Sequence, residues 1–94
     1  MKISELKPGM GNVNLEAEVV EVKTPREINK YGRNLRVADV ILRDDTGTIT
    51  LALWNENIEK VSEGKKVKLE NGYVNTWQDN IQLTLGKFGK ISEA

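Results

Sequence analysis

The sequence predicts an all-β chain: a small closed barrel of five short strands, with one short helix between the third and the fourth. Three observations predict it. Apolar and polar residues alternate with period two over most of the chain, turn-forming residues interrupt that alternation at short intervals, and the one stretch with helical spacing falls in the middle. At 94 residues the chain fits one domain with a modest core. Hydrophobic residues make up 38% of it and charged residues 30%, which suits a thin-walled barrel with much solvated surface.

The elements follow in order. Ile3-Ser4-Glu5-Leu6-Lys7-Pro8-Gly9-Met10 holds Pro and Gly and reads as an ordered lead-in. Val13, Leu15, Ala17 and Val19 alternate with Asn14, Glu16 and Glu18, as a half-buried strand requires. The phase slips at Val19-Val20, after which Val20 and Val22 are the apolar positions; a bulge or a tight barrel bend produces such a slip. Residues 24–34 have no apolar period, hold Pro25 and Gly32, and read as a loop or a ribbon turning near Tyr31-Gly32. The second strand, 35–43, is apolar on both faces in part. Asp44-Asp45-Thr46-Gly47 is a turn, and the third strand, 48–54, completes a hairpin. In 55–61 the strand pattern breaks: Ile58 and Val61, three apart, fit one or two helical turns across the barrel end, with Asn55 as cap. The fourth strand covers 65–75, 76–80 is a polar turn, and the fifth strand covers 81–85, with 87–91 as a short addition. Five strands with a helix at that position match the Greek-key barrel called the OB-fold; SH3-type barrels are the alternative, and the helix placement favours the former.

Composition removes most catalytic chemistries. The chain has no Cys and no His, so disulfides, thiolate zinc sites, a cysteine nucleophile and a histidine base are all excluded. Asp44-Asp45 is accounted for by its turn, and no Gly-rich phosphate loop precedes a helix. The expectation is a protein that is not an enzyme, takes no cofactor, metal or small-molecule substrate, and has no business with a membrane: no run of about 18 apolar residues exists, and Met1-Lys2-Ile3-Ser4-Glu5 has no apolar signal core.

Fourteen basic residues balance 14 acidic ones, which as a bulk argument counts against a nucleic-acid ligand. The distribution is uneven, however. Lys23, Arg26, Lys30, Arg33 and Arg36 stand against Glu27 alone, so a neutral total hides a basic segment on an acidic body. Arg26, Lys30, Arg33 and Arg36 are candidate phosphate contacts; a solvated charged face is the other reading. Lys65, Lys66 and Lys68 read as plain solvation.

The aromatic residues carry the sharper signal. In the third strand Ile49, Leu51 and Leu53 point one way and Thr48, Thr50, Ala52 and Trp54 the other. If the Ile/Leu face is the core, Trp54 stands outside, where an OB barrel receives oligonucleotides and a ring can stack on any base. The competing reading folds Trp54 under the short helix to close the barrel end. Trp77 lies among polar residues between strands, either in a ligand-binding loop or as a lid over the barrel end. Tyr73 is in phase with Val67 and Leu69 and so points inward, unless Asn71-Gly72 is a bulge that turns it outward; phase alone leaves the two even.

Several stretches together resemble the archaeal single-stranded DNA-binding proteins of the replication protein A type. They are Ile3 to Met10 as quoted above, Asn12-Val13-Asn14-Leu15, Gly32-Arg33 leading into Val37-Ala38-Asp39-Val40, Asp44-Asp45-Thr46-Gly47, Leu51-Ala52-Leu53-Trp54, and Leu69-Glu70-Asn71-Gly72-Tyr73 through Ile81-Gln82-Leu83. The likeness covers nearly the whole chain. It implies base stacking on Trp54, Tyr73 and Trp77, which tips Tyr73 outward, with Gln82, Thr84 and Lys87 lining the same groove; some relatives carry an aromatic where Thr84 stands. It implies single-stranded DNA as the partner, with other replication or repair proteins besides, a role in DNA replication, recombination or repair, and a cytoplasmic, nucleoid-associated location. Relatives often continue into tails or further OB domains, so residues 1–94 are expected to be one OB-fold domain, open to being a part of a longer protein. The alternatives are an OB-fold subunit for protein assembly in a replication protein A-like complex, which zero net charge favours modestly, and RNA binding, which stacking alone does not separate from DNA binding.

Overall fold

The computed structural model describes every residue except Gln78, and every side chain except those of Gln78, Trp77, Gly86, Lys87 and Phe88. Six strands form one sheet: β1 (Val13–Val22), β2 (Arg26–Lys30), β3 (Arg33–Asp44), β4 (Gly47–Trp54), β5 (Lys66–Trp77) and β6 (Asn80–Glu93). Two 3-10 turns, Ile3–Glu5 and Asn55–Lys60, cap it. The order is β1-β5-β6-β4-β3-β2, and an additional β1–β3 pairing closes the ring. The closed barrel therefore has five strands, as expected of an OB-fold, and β2 is an extension paired to β3 beyond it. Strands β4 and β6 run parallel, and the other pairs are antiparallel.

Period-two alternation decides what lies inside. Val13, Leu15, Ala17 and Val19 of β1, Ala38, Val40 and Leu42 of β3, and Ile49, Leu51 and Leu53 of β4 all enter the core. Val67, Leu69 and Val74 of β5 and Leu83 of β6 meet them there. Ile3 and Leu6 plug one part of the interior, and Ile58 and Val61, three residues apart, plug another. Burying an aliphatic side chain of this kind contributes about 1.5–3 kcal/mol before entropy is counted.

Two bulges shape the barrel, each where the alternation breaks. In β1 the register with β3 shifts between Val19 and Glu21. Up to Glu18 the strand pairs with β5, and from Glu18 onward it pairs with β3, so the bend at the bulge lets one strand close the ring. The slip does not bury Val20, which is 40% exposed; Val22 alone of that pair packs against the core. In β5 the register shifts between Glu70 and Gly72. Asn71 takes a left-handed φ of 56°, and its N–H donates to Asn14 Oδ1 at 3.1 Å. The extra residue flips the phase: Gly72 and Val74 face in, and Tyr73 faces out.

Four sequence expectations are corrected. The segment after β4 is a 3-10 turn with no α-helix, too short to repay α-helix nucleation. Its capping position belongs to Trp54, without a side-chain cap, while Asn55 adopts a left-handed φ of 53° and accepts the Arg36 N–H on Oδ1 at 3.1 Å. The last strand is one continuous element and not two short ones. The polar turn expected over 76–80 shortens, since β5 runs to Trp77 and β6 begins at Asn80. Of the two readings of 24–34, the ribbon holds: β2 and β3 pair from Arg26↔Val37 to Lys30↔Arg33 across a two-residue turn, Tyr31-Gly32.

The Asp44 turn ties the N-terminus to the barrel. Its Oδ1 accepts the N–H groups of Thr46 (2.7 Å) and Gly47 (3.1 Å) and the Thr46 hydroxyl (2.6 Å), and its Oδ2 accepts the Ile3 N–H at 2.8 Å. Burial pushes this carboxyl up, but the Thr46 hydroxyl and the three backbone donors outweigh it and hold the pKa at about 2. A folded pKa below the ordinary value of 3.8 means stabilisation that is full above that value and lost as pH falls through about 2. Asp44→Asn is therefore expected to melt below the parent at neutral pH, with the gap closing between pH 4 and pH 2; a gap constant over that window would contradict the assignment. At Gly72, an added Cβ would lie 3.0 Å from Leu69 Cδ2 and 3.2 Å from the Thr84 carbonyl oxygen. Gly72→Ala is expected to cost about 1–3 kcal/mol in urea unfolding through overpacking at the bulge.

Candidate nucleic-acid interface

The outward faces of β3, β4 and β6 and the inner face of the arm enclose an open groove of about 860 Å³. Its floor follows from strand phase. Residues paired across antiparallel strands share a face, so Arg26, Val37 and Trp54 form one row. Asp39, Ala52, Thr84 and Tyr73 form the next, and Ile41, Thr50, Gln82 and Asn75 the one after. Val37 and Ala52 are buried yet lie outside the core cluster, because their apolar surface belongs to the groove side. The groove thus mixes apolar residues (Ile28, Ile41, Ile81, Trp54) with polar ones (Thr48, Thr50, Gln82), a lining that suits ligands with flat faces and polar edges.

Trp54 stands at one end of this floor. It is the last extended residue of β4, with φ −117° and ψ 139°, and Asn55 turns the chain away immediately after it. The bond from Arg36 N–H to Asn55 Oδ1 fixes that departure beside the final rung of the β3–β4 ladder, Val37↔Trp54. Strand phase therefore holds to the strand's end: Leu53 is fully buried and Trp54 is 38% exposed on the opposite face. Tyr73, 43% exposed, lies two strands away and one row along. Strand spacing puts the two ring-bearing backbones about 12 Å apart. None of the three aromatic side chains described, Tyr31, Trp54 and Tyr73, takes part in the core.

Of the residues singled out in the sequence, Arg26, Lys30, Trp54 and Gln82 line the groove together. Arg33 pairs with Lys30 and so shares the groove face of the arm, at its tip. Tyr73 flanks the groove across Thr84. Thr84 itself is on the right face but only 6% exposed, a small side chain in a row between Ala52 and the Tyr73 ring, so it offers the groove little surface. Arg36 is not brought there. It pairs with Glu27 on the opposite face of the arm, and its guanidinium lies 3.5 Å from Glu59 Oε1. The side chains of Trp77 and Lys87 lie outside the described residues.

The electrostatics are mixed. Arg26 and Lys30 put two cations on the groove wall and Asp39 one carboxylate on its floor, with Arg26 Nη2 3.9 Å from Asp39 Oδ2. That pair is loose and solvated, so it costs little to open. Sequence reasoning missed Ile28, Val37, Asp39 and Ile41 as lining residues. The available signal was the second strand's apolar character on both faces, which marks a strand covered on one side by core and on the other by something else. Among the described residues no group of acidic side chains could hold a metal ion, and no helix is long and apolar enough to cross a membrane.

Comparison with known proteins agrees with this geometry. The family model described as "Single-stranded DNA binding protein Ssb-like, OB fold" matches residues 6–93. The single-stranded DNA binding protein Ssb of Saccharolobus solfataricus is 33% identical over 93 residues, covering 99% of this chain and 63% of the relative. Replication factor A of Methanothermobacter thermautotrophicus is 33% identical over 99 residues, covering 99% of this chain and 12% of that protein. The chain thus spans less than two thirds of the length of either. A crystal structure of a domain of replication protein A from Methanococcus maripaludis superposes with a TM-score of 0.77 at 31% identity, covering 99% of this chain and 94% of that one. With the family model matching nearly end to end on a closed five-stranded barrel, the chain belongs to the Ssb-like family of OB-fold single-stranded DNA binding proteins.

Proposed function

We propose that this barrel binds single-stranded DNA along the groove, stacking bases on Trp54 and Tyr73 and holding phosphates with Arg26, Lys30 and Arg33. The observation that carries the reading is Trp54: an indole kept out of the core, at the end of a groove with cations on its wall. A ring of that size, more than a third exposed and outside the core, is open to stacking, and every base offers it a π-face. Family membership supports the same ligand. The mechanism makes and breaks no covalent bond, in keeping with a module that protects or presents unpaired strands in replication, recombination or repair. We read residues 1–94 as one OB-fold domain working in the cytoplasm at the nucleoid, with other replication or repair proteins as its further partners.

Floor and wall divide the work. Ile28, Ile41 and Ile81 offer the bases an apolar surface, while Gln82 and Thr50 present groups for base edges without demanding one base. Phosphates then fall toward the arm, where Arg26, Lys30 and Arg33 lie on one face. Asp39 sits among them as the one carboxylate of the lining, and it releases Arg26 when a phosphate competes for the guanidinium.

Titration with an oligo-dT strand should quench the tryptophan fluorescence of the parent, and Trp54→Ala should weaken binding about 5- to 100-fold, since a stacked base is worth ~1–3 kcal/mol. Wild-type affinity in Trp54→Ala would refute the stacking site. Affinity should also fall with salt, by a slope of roughly 0.7 per phosphate neutralised. Arg26→Ala and Lys30→Ala should each flatten that slope by about one such step, and Arg36→Ala should leave it unchanged. A matched oligo-rU strand that binds more tightly than oligo-dT would reassign the ligand to RNA.

A further inference from the structure

The arm ends in a feature that the proposed groove does not use. Its two-residue turn is of the type that requires positive φ at both central positions. Gly32 meets that need freely at φ 72°, but the other position holds Tyr31 at φ 54°. For a bulky residue that conformation is an outlier, and asparagine is the residue that fits it without strain. Among the described residues no core contact repays the cost. Tyr31 is 92% exposed, the most exposed of the aromatic side chains described, and packs against no core residue. The Lys30 ammonium lies 5.6 Å from its ring centroid. The groove nevertheless runs up to this point: Lys30 lines it, and Arg33, its partner across the turn, shares that face.

We propose that Tyr31 is a further stacking platform, beside Trp54 and Tyr73, taking an unpaired base of the same strand after it leaves the groove. The proposal deepens the single-stranded DNA reading and rests on it. Four steps of extended chain run from Arg33, beside the turn, to Val37, the cross-strand partner of Trp54, so Tyr31 and Trp54 stand roughly 15 Å apart. Lys30 and Arg33 flank the tip and neutralise the phosphates on either side of the stacked base. A short strand that fills only the groove never reaches Tyr31, whereas a longer one does. The ring therefore adds affinity as a function of strand length, and by a contact that does not depend on salt.

The test uses Tyr31→Asn, which suits the turn better than the parent residue and so keeps the arm folded, and Tyr31→Phe, which keeps a ring. Fluorescence titrations compare an oligo-dT strand of about 4 nucleotides with one of about 12, within the range that one OB barrel covers. Tyr31→Asn should bind the long strand ~10-fold more weakly with an unchanged salt slope, bind the short strand as the parent does, and regain affinity as Tyr31→Phe. Parent-like binding of the long strand by Tyr31→Asn would overturn the proposal, as would an equal loss for both lengths. Trp54→Ala in parallel separates the two claims: a loss there with none in Tyr31→Asn refutes the tip platform alone, and no loss in Trp54→Ala refutes the groove reading beneath it.

Discussion

Closure of the sheet by β1 is the constraint on which the rest of the molecule depends. One strand must reach β5 with its first half and β3 with its second, and the bulge at Val20 is what permits the change of partner. Once the ring is closed, every strand within it has one face committed to a small interior, and period two then decides the other face residue by residue. The outer surface is as strictly determined as the core. Trp54 is outside because Leu51 and Leu53 are inside; the same backbone that buries one set of side chains presents the other.

That coupling explains how a chain of zero net charge can carry a nucleic-acid groove. Three of the 14 basic residues, Arg26, Lys30 and Arg33, share one face of the β2–β3 arm, beside the groove that Ile28, Val37 and Ala52 line. Elsewhere several charges answer one another at the surface: Arg43 meets Glu18, Lys68 meets Glu70, and Lys2 meets Asp45. Such exposed pairs add little stability, but they leave the arm as the region where cations stand beside a surface for bases. The aromatic residues follow the same economy. A domain this small holds its core together with Val, Leu and Ile and leaves Trp54, Tyr73 and Tyr31 to face solvent.

Much of this was legible in the sequence because alternation is a strong signal where a strand has one wet face. The fold, the β1 slip and the outward phase of Trp54 follow from counting alternation; for Tyr73 phase left both directions open, and the resemblance favoured the outward one that the Asn71-Gly72 bulge produces. What escaped did so for physical reasons. The 55–61 segment has helical spacing, but the two rungs that plug the barrel need only a 3-10 turn. Arg36 belongs to a charge cluster in sequence, yet period two sends it to the opposite face from Arg26, toward Glu59. Thr84 has the right phase, but phase gives direction and not exposure, and its row neighbours screen it. Asp39 and Ile28 were missed as groove residues because the ribbon near Tyr31-Gly32 was legible but the side of the barrel it would lie along was not.

The arm itself is joined to the barrel on one side only. β2 hydrogen-bonds to β3 and contributes no rung to the ring. Lengthening or shortening it by matched pairs of residues would preserve the facing of its side chains while leaving the interior untouched. The reach of the molecule along a strand is thus a quantity that evolution or an engineer can dial separately from its thermal endurance.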